Sequence, residues 1–206
     1  SARDFRRASF TPDEFARVFI ALNKAQAAEG LFLSSGIING GIFTQDKLIE
    51  TAEILRKKYH FKGYIHLKIM PGAEKAQIEQ AMLLANRVSI NLEAPNPDKL
   101  SFLAPQKIFS SELLKPLQWI EEIRQTKSPR YAWNGHWPSS VTQFVVGAVG
   151  DTDLELLSTS QRLFRSFKLQ RTYYSAFSPI QDTPLENTPP TSPVREHRLY
   201  EASFLL

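Results

Sequence analysis

Short apolar segments alternate with helical segments along almost the whole chain, and this alternation constrains the fold more than any other feature of the sequence. Five apolar segments are typical of buried strands, at residues 31–36, 64–70, 87–93, 142–148 and 171–177. Helical material follows each of them. Parallel strands need such crossovers, which are right-handed and place the helices outside the sheet. The sequence therefore predicts an α/β protein, either an open doubly wound sheet or a barrel.

Capping residues and the spacing of apolar residues predict where the helices begin and end. Thr11-Pro12-Asp13-Glu14 predicts a helix start with Thr11 as the N-cap, and Gly30 predicts the end of that helix. Further helices are predicted from Thr44, over Glu74 to Ala85, from Pro95-Asn96-Pro97 to about Arg124 with a break near Pro105, after Asp151 as a cap, and from about Val194. Residues 128–140 lack a period and are predicted to form a loop.

Polar residues alternate with apolar ones on two neighbouring strands, and this pattern favours a barrel. The polar positions are Tyr64, His66 and Lys68 on the second strand and Ser89, Asn91 and Glu93 on the third. A parallel sheet buried on both faces is apolar almost throughout. A barrel whose apolar face meets the helices, and whose polar face lines a wet or ligand-filled cavity, accounts for the alternation.

Composition excludes several classes of protein. The 206 residues include 42% hydrophobic and 22% charged residues, which predicts one globular domain over residues 1–206. Lys and Arg total 25 against 21 Asp and Glu, a balance that permits an anionic partner without requiring one. The absence of cysteine excludes disulfides, a zinc-thiolate site, a cysteine nucleophile and a thiolate-held iron-sulfur cluster within these residues.

The ends and the apolar stretches of the chain lead to two further expectations. Residues 144–149 are far fewer than the roughly 20 that a spanning helix needs, and no signal peptide opens the chain, so a cytoplasmic protein without membrane partners is predicted. The chain begins with a helix where the architecture begins with a strand, and it stops at apolar residues 204–206. The domain is therefore expected to be truncated at both ends.

Two inward-facing charges mark the first candidate site. Lys68 and Glu93 are predicted at matching heights on adjacent strands, where burial of either charge alone is costly. Either they form an ion pair that holds the strands in register, or they contact a ligand. Asn91 and Glu93 are two residues apart on one strand, so both can reach a ribose or another polyol.

Small residues at strand ends mark the second candidate site. Ser34, Ser35 and Gly36 either expose backbone groups to a ligand or form a tight turn. Gly147 either permits a flat ring to lie close or permits a turn. The four histidines lack the spacing of a metal site, and the sequence contains no P-loop, no GxGxxG after a strand and no GxSxG.

Several segments together resemble the radical S-adenosylmethionine (SAM) superfamily. The segments are Gly30-Leu31-Phe32-Leu33-Ser34-Ser35-Gly36, Asn91-Leu92-Glu93, Val145-Val146-Gly147 and Phe177-Ser178-Pro179-Ile180-Gln181-Asp182-Thr183-Pro184-Leu185, in which Asp182 replaces a glycine of the superfamily motif. More narrowly, the chain resembles one subfamily, the DNA modification or repair proteins associated with uracil-DNA-glycosylase-like neighbours. This resemblance lies in residues 30–36, 63–68, 71–73, 103–105, 173–177 and 195–200.

The resemblance implies a partial (β/α)6 TIM-like barrel whose first strand and cysteine loop are missing from this chain. It implies an enzyme that uses a [4Fe-4S] cluster to cleave SAM to a 5′-deoxyadenosyl radical, with an electron donor such as flavodoxin or ferredoxin and a nucleic-acid substrate. Because the cysteine loop is absent, the chain alone is expected to be inactive.

The resemblance also implies roles for individual residues, although it assigns no catalytic residue and no metal ligand in this chain. The implied contacts are Ser34, Ser35 and Gly36 with the methionine end of SAM, Asn91 and Glu93 with its ribose, Val146 and Gly147 with its adenine, Lys68 with the SAM carboxylate or with Glu93, and His66 and Tyr173 with the substrate. Two alternatives stay open: a barrel lyase or aldolase that uses Lys68 as a Schiff-base nucleophile, and a cluster-less nucleotide-binding protein.

Overall fold

A computed structural model describes residues 9–206 of the chain. Within them, the helices are α1 (Pro12–Lys24), α2 (Gly41–Glu53), α3 (Lys75–Leu84), α4 (Pro97–Leu103), α5 (Lys115–Thr126), α6 (Asp153–Phe167) and α7 (Pro193–Ser203). The strands are β1 (Leu31–Leu33), β2 (Ile65–Lys68), β3 (Arg87–Ser89), β4 (Ser139–Val146) and β5 (Arg171–Ala176). Two π-helical turns, Ile54–Lys58 and Phe109–Leu114, continue α2 and precede α5.

The strands form one sheet in the order β1-β2-β3-β4-β5, with parallel pairing of β1 to β2, β2 to β3 and β4 to β5. Each strand is joined to the next through helical segments. The α/β fold class predicted from the alternation is therefore confirmed. None of the helices among residues 9–206 is both long and apolar enough to cross a bilayer.

The described residues form two compact units. The first unit comprises residues 9–90 and 115–140, and the second comprises residues 91–114 and 141–206. In the first unit, Ile65 and Leu67 of β2 are fully buried, while His66 and Lys68, which alternate with them, are half-buried. This is the apolar and polar alternation expected from the sequence.

Helix α1 begins as predicted. Thr11 is its N-cap: the Thr11 side chain accepts a hydrogen bond from the Glu14 backbone N–H, and the Glu14 carboxylate accepts one from the Thr11 N–H at 2.8 Å. This reciprocal pair satisfies two donors that a helix start leaves without partners.

Two predicted caps are wrong by a few residues. Helix α2 begins at Gly41, and Thr44 lies in its first turn, where its buried hydroxyl donates to carbonyls of the preceding turn. The N-cap of α6 is Thr152, which forms a capping box with Glu155. The neighbouring Asp151, predicted as the cap, accepts instead from the Gly147 backbone N–H. Thr, Asp and Gly all favour the N-cap position, so the local sequence does not show which of several neighbouring residues caps the helix.

Each strand is shorter or shifted relative to its predicted segment, and the boundaries of β3 and β4 bear on the site. Strand β4 begins at Ser139, inside the predicted loop 128–140, because the Ser139 N–H donates to the Asn86 carbonyl at 3.2 Å. Strand β3 ends at Ser89 instead of Glu93. The predicted break in the fourth helical segment and the start of α7 near Val194 are confirmed.

Candidate functional site

A row of polar side chains crosses the strands of the second unit. The Asn91 amide Nδ2 donates to Gln143 Oε1 at 3.4 Å, and Gln143 pairs in register with Tyr173 on β5. Gln143 therefore contacts Asn91 and lies in register with Tyr173, two residues that the sequence predicted to contact a ligand. The apolar pattern of its strand does not single out Gln143, although a lone amide in an apolar strand is a usable signal.

The backbone of Glu93 is held in an unusual conformation. Its φ of 65° lies in the left-handed region, which a residue with a side chain rarely adopts. Main-chain hydrogen bonds fix it from both sides: its N–H donates to the Gln143 carbonyl at 2.9 Å, and its carbonyl accepts from the Val145 N–H at 2.8 Å. Such strained residues persist where the surroundings determine them and cluster at functional sites.

The carboxylate of Glu93 forms an ion pair with Lys107. Lys107 Nζ lies 3.0 Å from Glu93 Oε1, and both side chains are largely buried, with exposed fractions of 29% for Lys107 and 18% for Glu93. Lys107 comes from the turn after α4, so no strand pattern could have predicted it.

The prediction that Lys68 and Glu93 lie at matching heights is wrong. The register of β2 and β3 places Ser89 beside Lys68, and β3 ends there. The prediction assumed a straight strand to Glu93, whereas the chain leaves the ladder after Ser89 and returns only as an isolated bridge between Glu93 and Phe144.

Val146 and Gly147, predicted to contact adenine, are held by hydrogen bonds within the second unit. The buried Val146 carbonyl accepts hydrogen bonds from the Phe177 N–H at 3.0 Å and from Thr191 Oγ1 at 2.7 Å. The Gly147 N–H donates to the Asp151 carboxylate at 3.0 Å, and that carboxylate is fully buried against Arg195. Packing within the chain therefore explains the glycine without a ligand.

We expect Gly147→Ala to lower the free energy of unfolding by about 2–4 kcal/mol. Gly147 has a φ of 85°, and a Cβ built there lies 2.0 Å from Thr191 Oγ1. Gly150→Ala is the matched control, because its φ of 67° is also left-handed but its Cβ meets no atom closer than Lys99 Nζ at 3.8 Å. Urea denaturation of both variants measures the packing cost as their difference. Equal losses in the two variants would show that the Thr191 contact is unimportant.

Ser34, Ser35 and Gly36 follow β1 in the first unit. Ser34 and Gly36 are exposed, and Ser35 Oγ donates to the Gly36 carbonyl at 2.7 Å. A Cβ at Gly36 would meet nothing within 4 Å, so the packing of the described structure does not require a glycine there. The segment therefore has room for a ligand beside its backbone, and its contact with SAM stays a prediction.

His66 occupies the polar face of β2 in the first unit. Its ring lies on the Phe32 ring with centroids 4.4 Å apart, and its buried Nε2 has no hydrogen-bond partner among the described residues. Burial, reinforced by the positive charges of Arg87 and Lys68, lowers the pKa of His66 to about 4. The imidazole is therefore neutral at neutral pH, which suits a hydrogen-bonding role better than the binding of an anion.

Residues 9–206 contain no group of three or more His, Cys, Asp or Glu side chains placed to hold a metal ion. The whole sequence lacks cysteine, so the residues of this chain do not fit a thiolate-held iron-sulfur cluster.

The predicted site residues thus fall into two groups. The second unit brings Asn91 to Gln143, which is level with Tyr173, and places Glu93 beside Lys107. The first unit places His66 and Lys68 on one face of β2.

The similarity of this chain to known proteins lies in its fold. No protein-family model and no curated protein matches the chain. The crystal structure of HydG, a maturase of the [FeFe]-hydrogenase, matches with a TM-score of 0.69 and 10% sequence identity over 98% of this chain. This chain spans 45% of the length of that protein. A domain of pyruvate-formate lyase-activating enzyme from Bacteroides vulgatus matches with a TM-score of 0.56 and 10% identity, covering 86% of this chain and 94% of that one. Together with the five-stranded parallel sheet, these similarities confirm the predicted α/β fold class, a partial TIM-like barrel.

Proposed function

We propose that this chain is the core of a radical SAM enzyme and that it binds SAM. The observation that carries the proposal is Glu93, a largely buried carboxylate held in a strained backbone conformation on the carboxyl side of β3, where the chain forms an isolated bridge with Phe144 of β4. In α/β folds with parallel strands, ligands bind at the carboxyl ends of the strands. The sequence motifs that resemble this superfamily, and the fold shared with a hydrogenase maturase and an activating-enzyme domain, support the same function.

The proposed role of Glu93 and Asn91 is to bind the ribose of SAM. An ionised carboxylate only accepts hydrogen bonds, and the two adjacent hydroxyls of a ribose are donors that it can bind together. The Asn91 amide adds an acceptor, because its Nδ2 is already directed at Gln143 Oε1 and leaves Oδ1 for the ligand.

We propose the other contacts on the resemblance. Ser34, Ser35 and Gly36 would receive the methionine end, with Lys68 near its carboxylate. Gly147 and Val146 would contact adenine by packing, since the Val146 carbonyl and the Gly147 N–H already have partners. His66 and Tyr173 would contact the substrate.

The chemistry that a [4Fe-4S] cluster supplies in this superfamily is the reductive cleavage of SAM. Since the chain has no cysteine to hold a cluster, its own residues contribute the binding and orientation of SAM and the exclusion of water. A nucleic-acid substrate, a flavodoxin or ferredoxin donor and a cytoplasmic location are proposed from the sequence resemblance and the net charge of +4 alone.

The test separates binding from stability at Glu93. We expect Glu93→Gly to weaken SAM binding by about 10–100-fold, since it removes charge-assisted hydrogen bonds. The same change relieves the left-handed backbone, so the melting temperature should rise or stay constant. Isothermal titration calorimetry with SAM and thermal unfolding followed by circular dichroism measure the two effects.

Lys168→Gly is the matched control. Lys168 also has a positive φ, 49°, but it caps the carboxyl end of α6. It should gain stability without any change in SAM affinity. A wild-type chain with no measurable SAM binding, or a Glu93→Gly variant that binds SAM as tightly as the wild type, would contradict the proposed role of Glu93.

A further inference from the structure

Lys107 is held more firmly than an ordinary surface lysine. The backbone N–H of Lys107 donates to the Ala104 carbonyl at 2.9 Å. The backbone N–H of the next residue, Ile108, donates to Glu112 Oε2 at 2.7 Å. Its side chain is 29% exposed and reaches the Glu93 carboxylate. Because the turn is already ordered, the ion pair requires less loss of chain entropy than a pair between two free surface side chains.

The ion pair leaves part of the carboxylate available. Lys107 engages Glu93 Oε1, while Oε2 has no hydrogen-bond partner within the part of the chain that the structure describes. A carboxylate has about four lone-pair sites, so one ammonium contact does not exhaust its capacity to accept hydroxyl groups. Glu93 is thus anchored at its backbone by two main-chain bonds and at its head by one lysine.

We propose that Lys107 is a positioning residue for Glu93, and that the pair selects ligands with two adjacent hydroxyl groups over ligands with one. The inference rests on the proposed function, because it takes the ribose of SAM as the group that Glu93 binds. A carboxylate that can rotate will accept one hydroxyl almost as well as a fixed one. Accepting two together needs a defined orientation of its plane, which the Lys107 contact supplies.

The expected effect of Lys107→Met is therefore selective. The affinity for SAM should fall by about tenfold, and the affinity for its 2′-deoxyribose analogue should change less than twofold. Lys107→Arg keeps a cation at the same turn and should retain most of the preference of the wild type. A substitution that acted only by loss of local packing would lower the affinities for SAM and for the analogue equally.

The experiment is calorimetric titration of the chain with SAM and with the 2′-deoxyribose analogue. It uses the wild type, Lys107→Met, Lys107→Arg, Glu93→Gln and the double variant Lys107→Met/Glu93→Gln. If Lys107 acts through Glu93, Lys107→Met has no further effect in the Glu93→Gln background. Lys99→Met is the control, because Lys99 Nζ bonds the Val149 and Gly150 carbonyls of the same unit and should not affect the preference.

The outcomes distinguish this inference from the proposed function. A wild type that binds neither ligand overturns the proposed function itself. A wild type that binds SAM and prefers it to the analogue, with Lys107→Met showing the same preference, overturns only the role of Lys107. The role of Lys107 is also overturned if Lys107→Met lowers the affinities for SAM and for the analogue equally. The same holds if Lys107→Met has its full effect in the Glu93→Gln background. Should Lys107→Met fail to fold, Lys107→Gln replaces it with the same expectation.

Discussion

Replacement of Arg56 by Met is expected to lower the free energy of unfolding by about 3–5 kcal/mol, the largest loss of stability that we predict for one side chain. Arg56 is 5% exposed in the first unit and donates to four acceptors. These are the carbonyls of Leu84, Phe61 and Gly63, at 2.7–3.0 Å, and Asn86 Oδ1 at 2.9 Å. Methionine fills much of the volume but removes the donors that Arg56 supplies to the three carbonyls, whereas Asn86 Oδ1 keeps a hydrogen bond from the Ile65 N–H at 2.9 Å.

The position of Arg56 explains why another cation should replace it only in part. It lies in the π-helical turn after α2, and its guanidinium packs on the Trp133 ring at 3.7 Å from the ring centroid. Burial lowers the pKa of Arg56 to about 10, so the group stays charged at neutral pH. A planar fork of donors is needed to reach separate carbonyls, and Arg56→Lys should therefore recover only part of the loss.

Urea denaturation followed by circular dichroism measures this loss. Arg17→Met is the matched control, because Arg17 is 62% exposed in the same unit and pairs with the exposed Asp13. Its midpoint should match that of the wild type within error. A loss below about 1 kcal/mol for Arg56→Met would mean that water or backbone movement satisfies the three carbonyls.

Gly41→Ala is expected to destabilise the chain by about 3 kcal/mol or to prevent folding, although alanine is the better helix former. Gly41 is the first residue of α2, and a Cβ built there lies 1.8 Å from the Pro71 carbonyl oxygen. The blocking atom belongs to the backbone, so it cannot move aside as a flexible side chain would. The helix start and the turn after β2 would have to separate.

Gly36→Ala is the control for Gly41→Ala. It lies in the same unit, has nothing within 4 Å of a built Cβ, and should change the unfolding midpoint very little. Thermal unfolding of the two variants under identical conditions gives the comparison. A Gly41→Ala variant as stable as Gly36→Ala would show that α2 can shift away from Pro71 at low cost.

The sequence was a reliable guide where a local pattern has one physical solution. The alternation of strands and helices allowed only a parallel α/β arrangement, and the Thr11 and Glu14 pair marked the start of α1 correctly. It was less reliable where neighbouring residues compete for the same role. Asp151 and Thr152 can both cap a helix. Thr152 is the cap because Asp151 accepts a hydrogen bond from the Gly147 N–H in the folded chain.

For the candidate site, the sequence by itself singled out Asn91 and Glu93 as polar residues at a strand end. It could not show where β3 leaves the ladder, because strand termination depends on hydrogen bonds to a neighbouring strand. Only the tertiary structure therefore decided that Glu93 adopts a left-handed backbone, and that its partner is Lys107 from a turn instead of Lys68 from the adjacent strand. Periodicity determines which face of a strand a residue occupies, whereas ion-pair partners come from segments that only folding brings together.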